Sequence, residues 1–290
     1  MSRKELNVSD RWIELSQKKT WIDILTDTAA RFPHTKALIF ESEEVSYDEY
    51  LDRVKDFAKG LYAVGVRPGD HVALWMTNRP EWCYARHAIY KLGARMIPVN
   101  TRYKVDDLEY ILAQSDAKCL IIEPNFFGKI DSMGMLTQLC PELKDSTPGN
   151  VACDKFPSLR TVICVEGSYA HCLSWQEVLR RCEGVADKEV QWALHPEDII
   201  HVIYTSGTTG FPKGIMTPNT INVAYCTISA ELFSLKHGDR YMNVLPFFGN
   251  IGLWAMSMCL LTGATLVISN RFSSKDTLEM IEKEKISHAM

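Results

Sequence analysis

Between Ser46 and Ile122 the sequence runs repeatedly through one cycle: a helix signature, a turn, then a short apolar strand. Ser46-Tyr47-Asp48-Glu49 is a capping box, in which the serine and the glutamate three positions on satisfy free amides at a helix start. The helix it opens carries Tyr50, Val54, Phe57, Ala58 and Leu61 on one face and stops at Gly65, a residue suited to a left-handed cap. Arg67-Pro68-Gly69-Asp70 turns the chain into a strand over 71–76. In the second cycle Asn78 is the expected cap, Pro80 enters the first turn, Gly93 ends the helix and 94–99 forms a strand. The third runs from Val105-Asp106-Asp107 through a helix to a strand over 117–122. Strands apolar on both faces and separated by helices require a parallel sheet covered on both sides.

The stretch 124–159, broken at 145–150, reads as a surface excursion before a strand over 161–165. A linker-like region over 182–198 leads into a strand at 199–204. The rhythm then resumes: a helix through Leu253–Leu261 stops at Thr262-Gly263, 264–268 is a strand, and Ser273 caps a last helix ending near Glu284. The final residues, 285–290, read like the start of a strand. Trp75, Trp82 and Trp175 fit element packing. Arg79, Arg86 and Arg95 are expected at helix and strand ends, and residues 282–285 on a solvated helix face. At roughly 150 residues per domain, the 290 residues allow about two domains.

Lys plus Arg is 32 and Asp plus Glu is 36, so a net charge of −4 gives no reason to expect a nucleic-acid partner. The nine cysteines include no Cys-x-x-Cys and several lie inside apolar runs, which suits buried free thiols in a reducing compartment. The eight histidines show no metal-ligand spacing, Cys164…His171-Cys172 coming nearest, so no metal ligand is expected. Met1-Ser2-Arg3-Lys4-Glu5 lacks a signal-peptide core, and the run 251–261 falls short of the about 20 residues that span a bilayer. The cytoplasm is the expected location.

One segment stands above this background. Directly after an apolar strand, Tyr204-Thr205-Ser206-Gly207-Thr208-Thr209-Gly210-Phe211-Pro212-Lys213-Gly214 gathers three glycines, four hydroxyl side chains and one lysine. Glycines let backbone amides approach an anion, hydroxyls add donors, and Lys213 adds a mobile positive charge, with no carboxylate to repel a polyphosphate. It is neither a Walker loop, since Pro212 stands five residues after Gly207, nor a Gly-x-Gly-x-x-Gly fingerprint. No Gly-x-Ser-x-Gly elbow is present, which disfavours a serine hydrolase.

Residues 204–214 closely resemble the phosphate-binding signature of the adenylate-forming superfamily, which includes acyl-CoA synthetases, aryl-CoA ligases, luciferases and peptide-synthetase adenylation domains. Val45–Leu61, 65–72, the run Lys91-Leu92-Gly93-Ala94…Pro98-Val99-Asn100 and Leu245-Pro246-Phe247-Phe248 are similar to that family's N-terminal domain. The resemblance implies an α/β fold of two largely parallel, helix-covered sheets, C-terminally incomplete. A first subdomain over 1–195 would carry an N-terminal hairpin and helix, and a second over 196–290 the phosphate loop. It implies that ATP and a carboxylic acid give an acyl-adenylate and pyrophosphate, followed by transfer to the thiol of coenzyme A. Thr205, Ser206, Gly207, Thr208, Thr209, Gly210 and Lys213 would hold the phosphates, with Mg²⁺ accompanying ATP. The family's acidic Mg²⁺ loop, ribose-binding Asp, hinge and small C-terminal domain with its catalytic lysine have no match within 1–290, so no catalytic residue is expected in this chain, which reads as an N-terminal portion.

The chain departs from the family's pattern in two places. Gly249 follows Pro246-Phe247-Phe248 where relatives often carry a gating histidine, and Thr217-Pro218-Asn219 stands where Thr-His is common. Asn250 lies where amino-acid-activating relatives place an Asp, and a neutral side chain cannot pair with a substrate ammonium. Phe247, Phe248, Gly249, Asn250 and Trp254 are therefore the candidate acyl-pocket residues, although the apolar helix around Trp254 also reads as plain core. A fatty, alicyclic or aromatic acid is the expected substrate. A nucleotide-binding scaffold without activity and a peptide-synthetase adenylation domain are the alternatives.

Overall fold

In a computed structural model the protein is described over residues 10–191, 194–205 and 212–289. Helices α1 (Arg11–Lys18) and α2 (Trp21–Arg31) lead to the hairpin β1 (Lys36–Phe40) and β2 (Glu43–Ser46) and to α3 (Tyr47–Ala63). Strand β3 (His71–Trp75), α4 (Pro80–Lys91), β4 (Arg95–Pro98), α5 (Val105–Gln114) and β5 (Cys119–Ile122) complete the three cycles. A small ribbon of β6 (Asn125–Phe126) and β7 (Ile130–Asp131) precedes α6 (Ser132–Leu139), β8 (Thr161–Cys164), β9 (Leu173–Ser174) and α7 (Trp175–Arg180). The hairpin β10 (Ile199–Thr205) and β11 (Lys213–Pro218) is followed by α8 (Asn219–Leu232), β12 (Arg240–Asn243), α9 (Asn250–Thr262), β13 (Thr265–Ile268), α10 (Ser274–Glu284) and β14 (His288–Ala289).

The strands form two sheets, largely parallel as expected. The seven-stranded sheet runs β11-β10-β4-β3-β5-β8-β9, with only the edge strand β11 antiparallel to its neighbour. The five-stranded sheet runs β14-β12-β13-β1-β2, with only β2 antiparallel. Each sheet takes strands from both halves of the chain: β1, which carries β2 on its outer side, lies beside β13, and β10 lies beside β4. A boundary at 195/196 therefore does not separate the sheets.

Alternation along each strand builds the layers. On β3, Val72 and Leu74 face a central core with α2, α3, α4, α8 and α9, which is closed on its far side by Leu38, Leu266 and Ile268 of the other sheet. Ala73 and Trp75 face a second core with α5 and α6. Ile39, Met242 and Val267 meet α10 in a third. The capping box of α3 forms, with the Glu49 carboxylate accepting the Ser46 N–H at 2.8 Å.

Four local expectations are corrected. The stretch 124–159 is not a surface excursion: Leu136, Leu139, Val151, Phe156 and Leu159 are buried and cover the outer face of the seven-stranded sheet. Asn78 is not a cap, since Arg79 takes the N-cap position of α4. Arg86 is not at an element end. It is fully buried in mid-helix, donating to Ser257 Oγ at 2.8 Å and Tyr90 Oη at 3.3 Å, with its guanidinium over the Trp21 and Tyr90 rings. Glu284 is not solvated: the last turn of α10 packs on β12, and its carboxylate accepts from Arg240 at 2.8 Å.

Candidate functional site

Parallel sheets leave the loops after their strands together at one end, and ligands bind there, where the chain's path across the sheet reverses direction. In the seven-stranded sheet that reversal falls at β3, with β4 on one side and β5 on the other. The residues just after β3 are Met76, Thr77 and Asn78. Here the carboxyl ends of both sheets converge on a cleft of about 680 Å³. Met76, Phe127, Ile130, Val244, Leu245 and Phe248 give it an apolar lining. Arg102 and Arg271 stand exposed on its rim, and neither makes an ion pair among the described residues.

The cleft walls are fixed by two polar devices. Thr77 donates through its amide and its hydroxyl to Glu123 Oε2, both at 2.7 Å, which ties the loop after β3 to the end of β5. Burial pushes the Glu123 carboxyl above the usual glutamate range, and the two Thr77 donors offset part of that rise. Asn78 joins the two sheets. Its Nδ2 donates to the carbonyls of Leu245 at 2.9 Å and Ser269 at 3.0 Å, and its Oδ1 accepts from the Phe247 amide at 2.8 Å. A single side chain thus holds the loops that follow β3, β12 and β13.

The glycine- and hydroxyl-rich loop leaves from the same end. β10 is parallel to β4, and β4 to β3, so Thr205 emerges two inter-strand steps, about 10 Å, from the end of β3. Thr205 and Lys213 are register partners across the β10–β11 hairpin, with Lys213 exposed. α5 braces this stem: Tyr110 donates to the Pro212 carbonyl at 3.0 Å, and Tyr204 donates to Gln114. Burial, reinforced by nearby Tyr110, pushes the Tyr204 phenol up to about 12, so it stays a donor. Ser206, Gly207, Thr208, Thr209 and Gly210 lie outside the described residues.

Of the five candidate acyl-pocket residues, Phe248 lines the cleft and the other four do not. Phe247 is buried against Trp82, with ring centroids 5.6 Å apart. Asn250 is exposed at the start of α9, so its neutrality carries no weight on what the cleft accepts. Trp254 packs on Tyr225 and Phe233 at the α8–α9 contact. Leu253, Met256, Met258 and Leu260 are core, as the plain reading of that helix had it. Gly249 occupies the N-cap position of α9 at φ −93°, where an added Cβ would meet nothing closer than 3.5 Å. Gly252 is the residue the backbone needs: a Cβ there would stand 2.3 Å from the Pro246 carbonyl oxygen. Sequence reading missed Thr77, Asn78, Glu123, Arg102 and Arg271; polar residues directly after apolar parallel strands were the available signal.

A two-sheet, largely parallel α/β fold with a cleft at the joined carboxyl ends defines the architectural class. The AMP-binding enzyme family matches residues 25–290, and the chain belongs to it. It is 32% identical over 269 residues to YngI of Bacillus subtilis (strain 168), whose name assigns it provisionally to the acyl-CoA synthetases, covering 90% of this chain and 49% of that one. It is 31% identical over 281 residues to the human mitochondrial medium-chain acyl-CoA ligase ACSF2, covering 92% of this chain and 45% of that one. The fold superposes on the inhibitor-bound crystal structure of the N-terminal domain of FACL13 from Mycobacterium tuberculosis with a TM-score of 0.76 at 23% identity, covering 93% of this chain and 62% of that one. The chain spans about half the length of the curated relatives it matches, 49% for YngI. No helix among the described residues is long and apolar enough to cross a membrane.

Proposed function

We propose that the chain is the N-terminal part of an AMP-forming acid–thiol ligase. A carboxylate oxygen attacks the α-phosphorus of ATP, the bond to pyrophosphate breaks, and an acyl-adenylate forms. The sulfur of coenzyme A then attacks the acyl carbon and AMP leaves. The carrying observation is the cleft at the joined carboxyl ends of two sheets, with the Thr205–Lys213 stem opening beside it. In this reading residues 205–210 and Lys213 bind the β- and γ-phosphates, and the exposed guanidinium groups of Arg102 and Arg271 attract the anionic substrates.

Catalysis in this half is positioning and positive electrostatics, because the carboxylate is its own nucleophile. In this reading Mg²⁺ arrives on the phosphates of ATP. The apolar lining supports a fatty, alicyclic or aromatic acid, and rests on Phe127, Ile130, Leu245 and Phe248 rather than on Asn250. All nine cysteines are free thiols, eight of them buried, which supports a reducing compartment, the cytoplasm. The test is ATP–pyrophosphate exchange over a panel of carboxylic acids, on this chain and on a form extended past Met290. Lys213→Ala removes a charge-assisted phosphate contact worth about 2 kcal/mol, so roughly thirtyfold weaker ATP binding is expected. Unchanged ATP affinity in that variant, or exchange with no acid by the extended form, overturns the reading.

A further inference from the structure

The layer over the outer face of the seven-stranded sheet holds a cluster that the ligase chemistry does not use. α6 ends at Leu139, and Cys140-Pro141-Glu142 opens a short 3₁₀ turn over Pro141–Asp145. The tight turn bridged by Thr147 and Asn150 then returns the chain, so that Cys153 lies against the start of that 3₁₀ turn. The thiols of Cys140 and Cys153 meet side chain to side chain, and a Glu142 carboxylate oxygen joins them, with all three donor atoms within 4.8 Å of one another. Cys140 is fully buried and Cys153 is 5% exposed. Glu142 Oε2 is enclosed and has no hydrogen-bond partner among the described residues. An enclosed carboxylate oxygen without a donor is costly, and beside two thiols a cation is what would remove that cost.

We propose that Cys140, Glu142 and Cys153 form a binding site for a thiophilic divalent cation of the zinc class, with water completing four-coordination. Around zinc, sulfur ligands at about 2.3 Å stand about 3.8 Å apart, a spacing compatible with donor atoms that all lie within 4.8 Å of one another. Two sulfurs in the set select a borderline-soft ion over Mg²⁺ or Ca²⁺, which take oxygen ligands. On binding, each thiol releases its proton to solvent and the sulfur pair donates to the metal; no oxidation occurs. The metal would staple the 140–153 loop onto the sheet. A disulfide between Cys140 and Cys153 is the rival, but it gives the Glu142 carboxylate no partner. Sequence spacing concealed this site because its ligands, Cys140, Glu142 and Cys153, fall in no recurrent zinc motif.

The test is a cobalt(II) titration of the reduced, chelator-treated chain, followed by displacement with zinc(II). A thiolate-to-cobalt charge-transfer band at stoichiometric metal is expected, lost in Cys140→Ser with Cys153→Ser. Glu142→Gln, which keeps both thiols, is expected to weaken binding at least ~10-fold. Cys164→Ser with Cys172→Ser, which removes the neighbouring thiol pair that lacks a carboxylate, should leave the band intact. Far-UV circular dichroism checks that the serine variants fold, and the Glu142 variant keeps the proposal testable if they do not. No band in the natural chain, a band that follows the Cys164 pair, undiminished affinity in Glu142→Gln, or recovery of a Cys140–Cys153 disulfide by peptide mapping overturns it.

Discussion

Replacing Asn78 with alanine tests whether one side chain holds the cleft. Asn78 is 4% exposed and makes three hydrogen bonds to backbone groups of the loops following β12 and β13. At a net ~1 kcal/mol each the loss is about 3 kcal/mol. Asn78→Asp sharpens the test. Its carboxylate can still accept from the Phe247 amide, but it lacks both donors and sets negative charge against the Leu245 and Ser269 carbonyls. That raises the introduced carboxyl's pKa in the folded state, so the variant should regain stability relative to the natural chain as pH falls through the carboxylate range. Urea unfolding at matched slopes measures both variants. A loss below ~1 kcal/mol for Asn78→Ala, or Asn78→Asp as stable as the natural chain at pH 7, refutes the clamp.

Other consequences follow from the same packing. Gly252→Ala sets a methyl 2.3 Å from the Pro246 carbonyl oxygen and 2.9 Å from the Phe247 backbone, so a loss of about 2 kcal/mol is expected in thermal unfolding. Gly249→Ala has room and should cost under ~1 kcal/mol; equal effects would refute the distinction. His201, buried and bonded to Tyr90 at 2.9 Å, is held down to about 3 from an ordinary 6.5 by burial and then by Arg86. A depressed histidine pKa gives stability that is present above 6.5 and lost as pH falls toward 3. That amounts to about 2 kcal/mol between roughly pH 6.5 and 5. His201→Gln keeps a hydrogen-bonding side chain without the titration, and its urea midpoint should fall less steeply with acid. An identical slope would remove His201 from the account.

How far the sequence discloses this molecule depends on the range of the interactions involved. The capping box at Ser46, Pro80 in the first turn of α4 and the left-handed Gly263 are local devices, and each forms where the sequence places it. The two-sided strands are legible for a related reason: Val72 and Leu74 face one core while Ala73 and Trp75 face another, so continuous apolarity implies two covers. What covers them was not legible. The 124–159 stretch looked like surface because its apolar residues are spaced irregularly, and only the Ala73 and Trp75 face of the sheet gives Leu136 and Phe156 somewhere to go. The sharing of each sheet by both halves of the chain was hidden for the same cause. Sequence order separates β1 from β13 by more than two hundred residues, yet Leu38 pairs with Leu266.

The cleft is the extreme case of that rule. The glycine- and hydroxyl-rich loop proposed to hold phosphates is contiguous in sequence and stands out by residue type, but the cleft walls come from loops that follow five different strands. Asn78 shows why such walls escape local reading. A polar residue just before a proline-initiated helix has every mark of a cap, and the backbone amides of α4 compete for its side chain. The competition is decided elsewhere, because Leu245, Phe247 and Ser269 offer two acceptors and a donor from the other sheet. Three bonds, one buried and two part-buried, outweigh one cap. The residue that reads as local punctuation therefore ties the two sheets together, and with them the walls of the cleft.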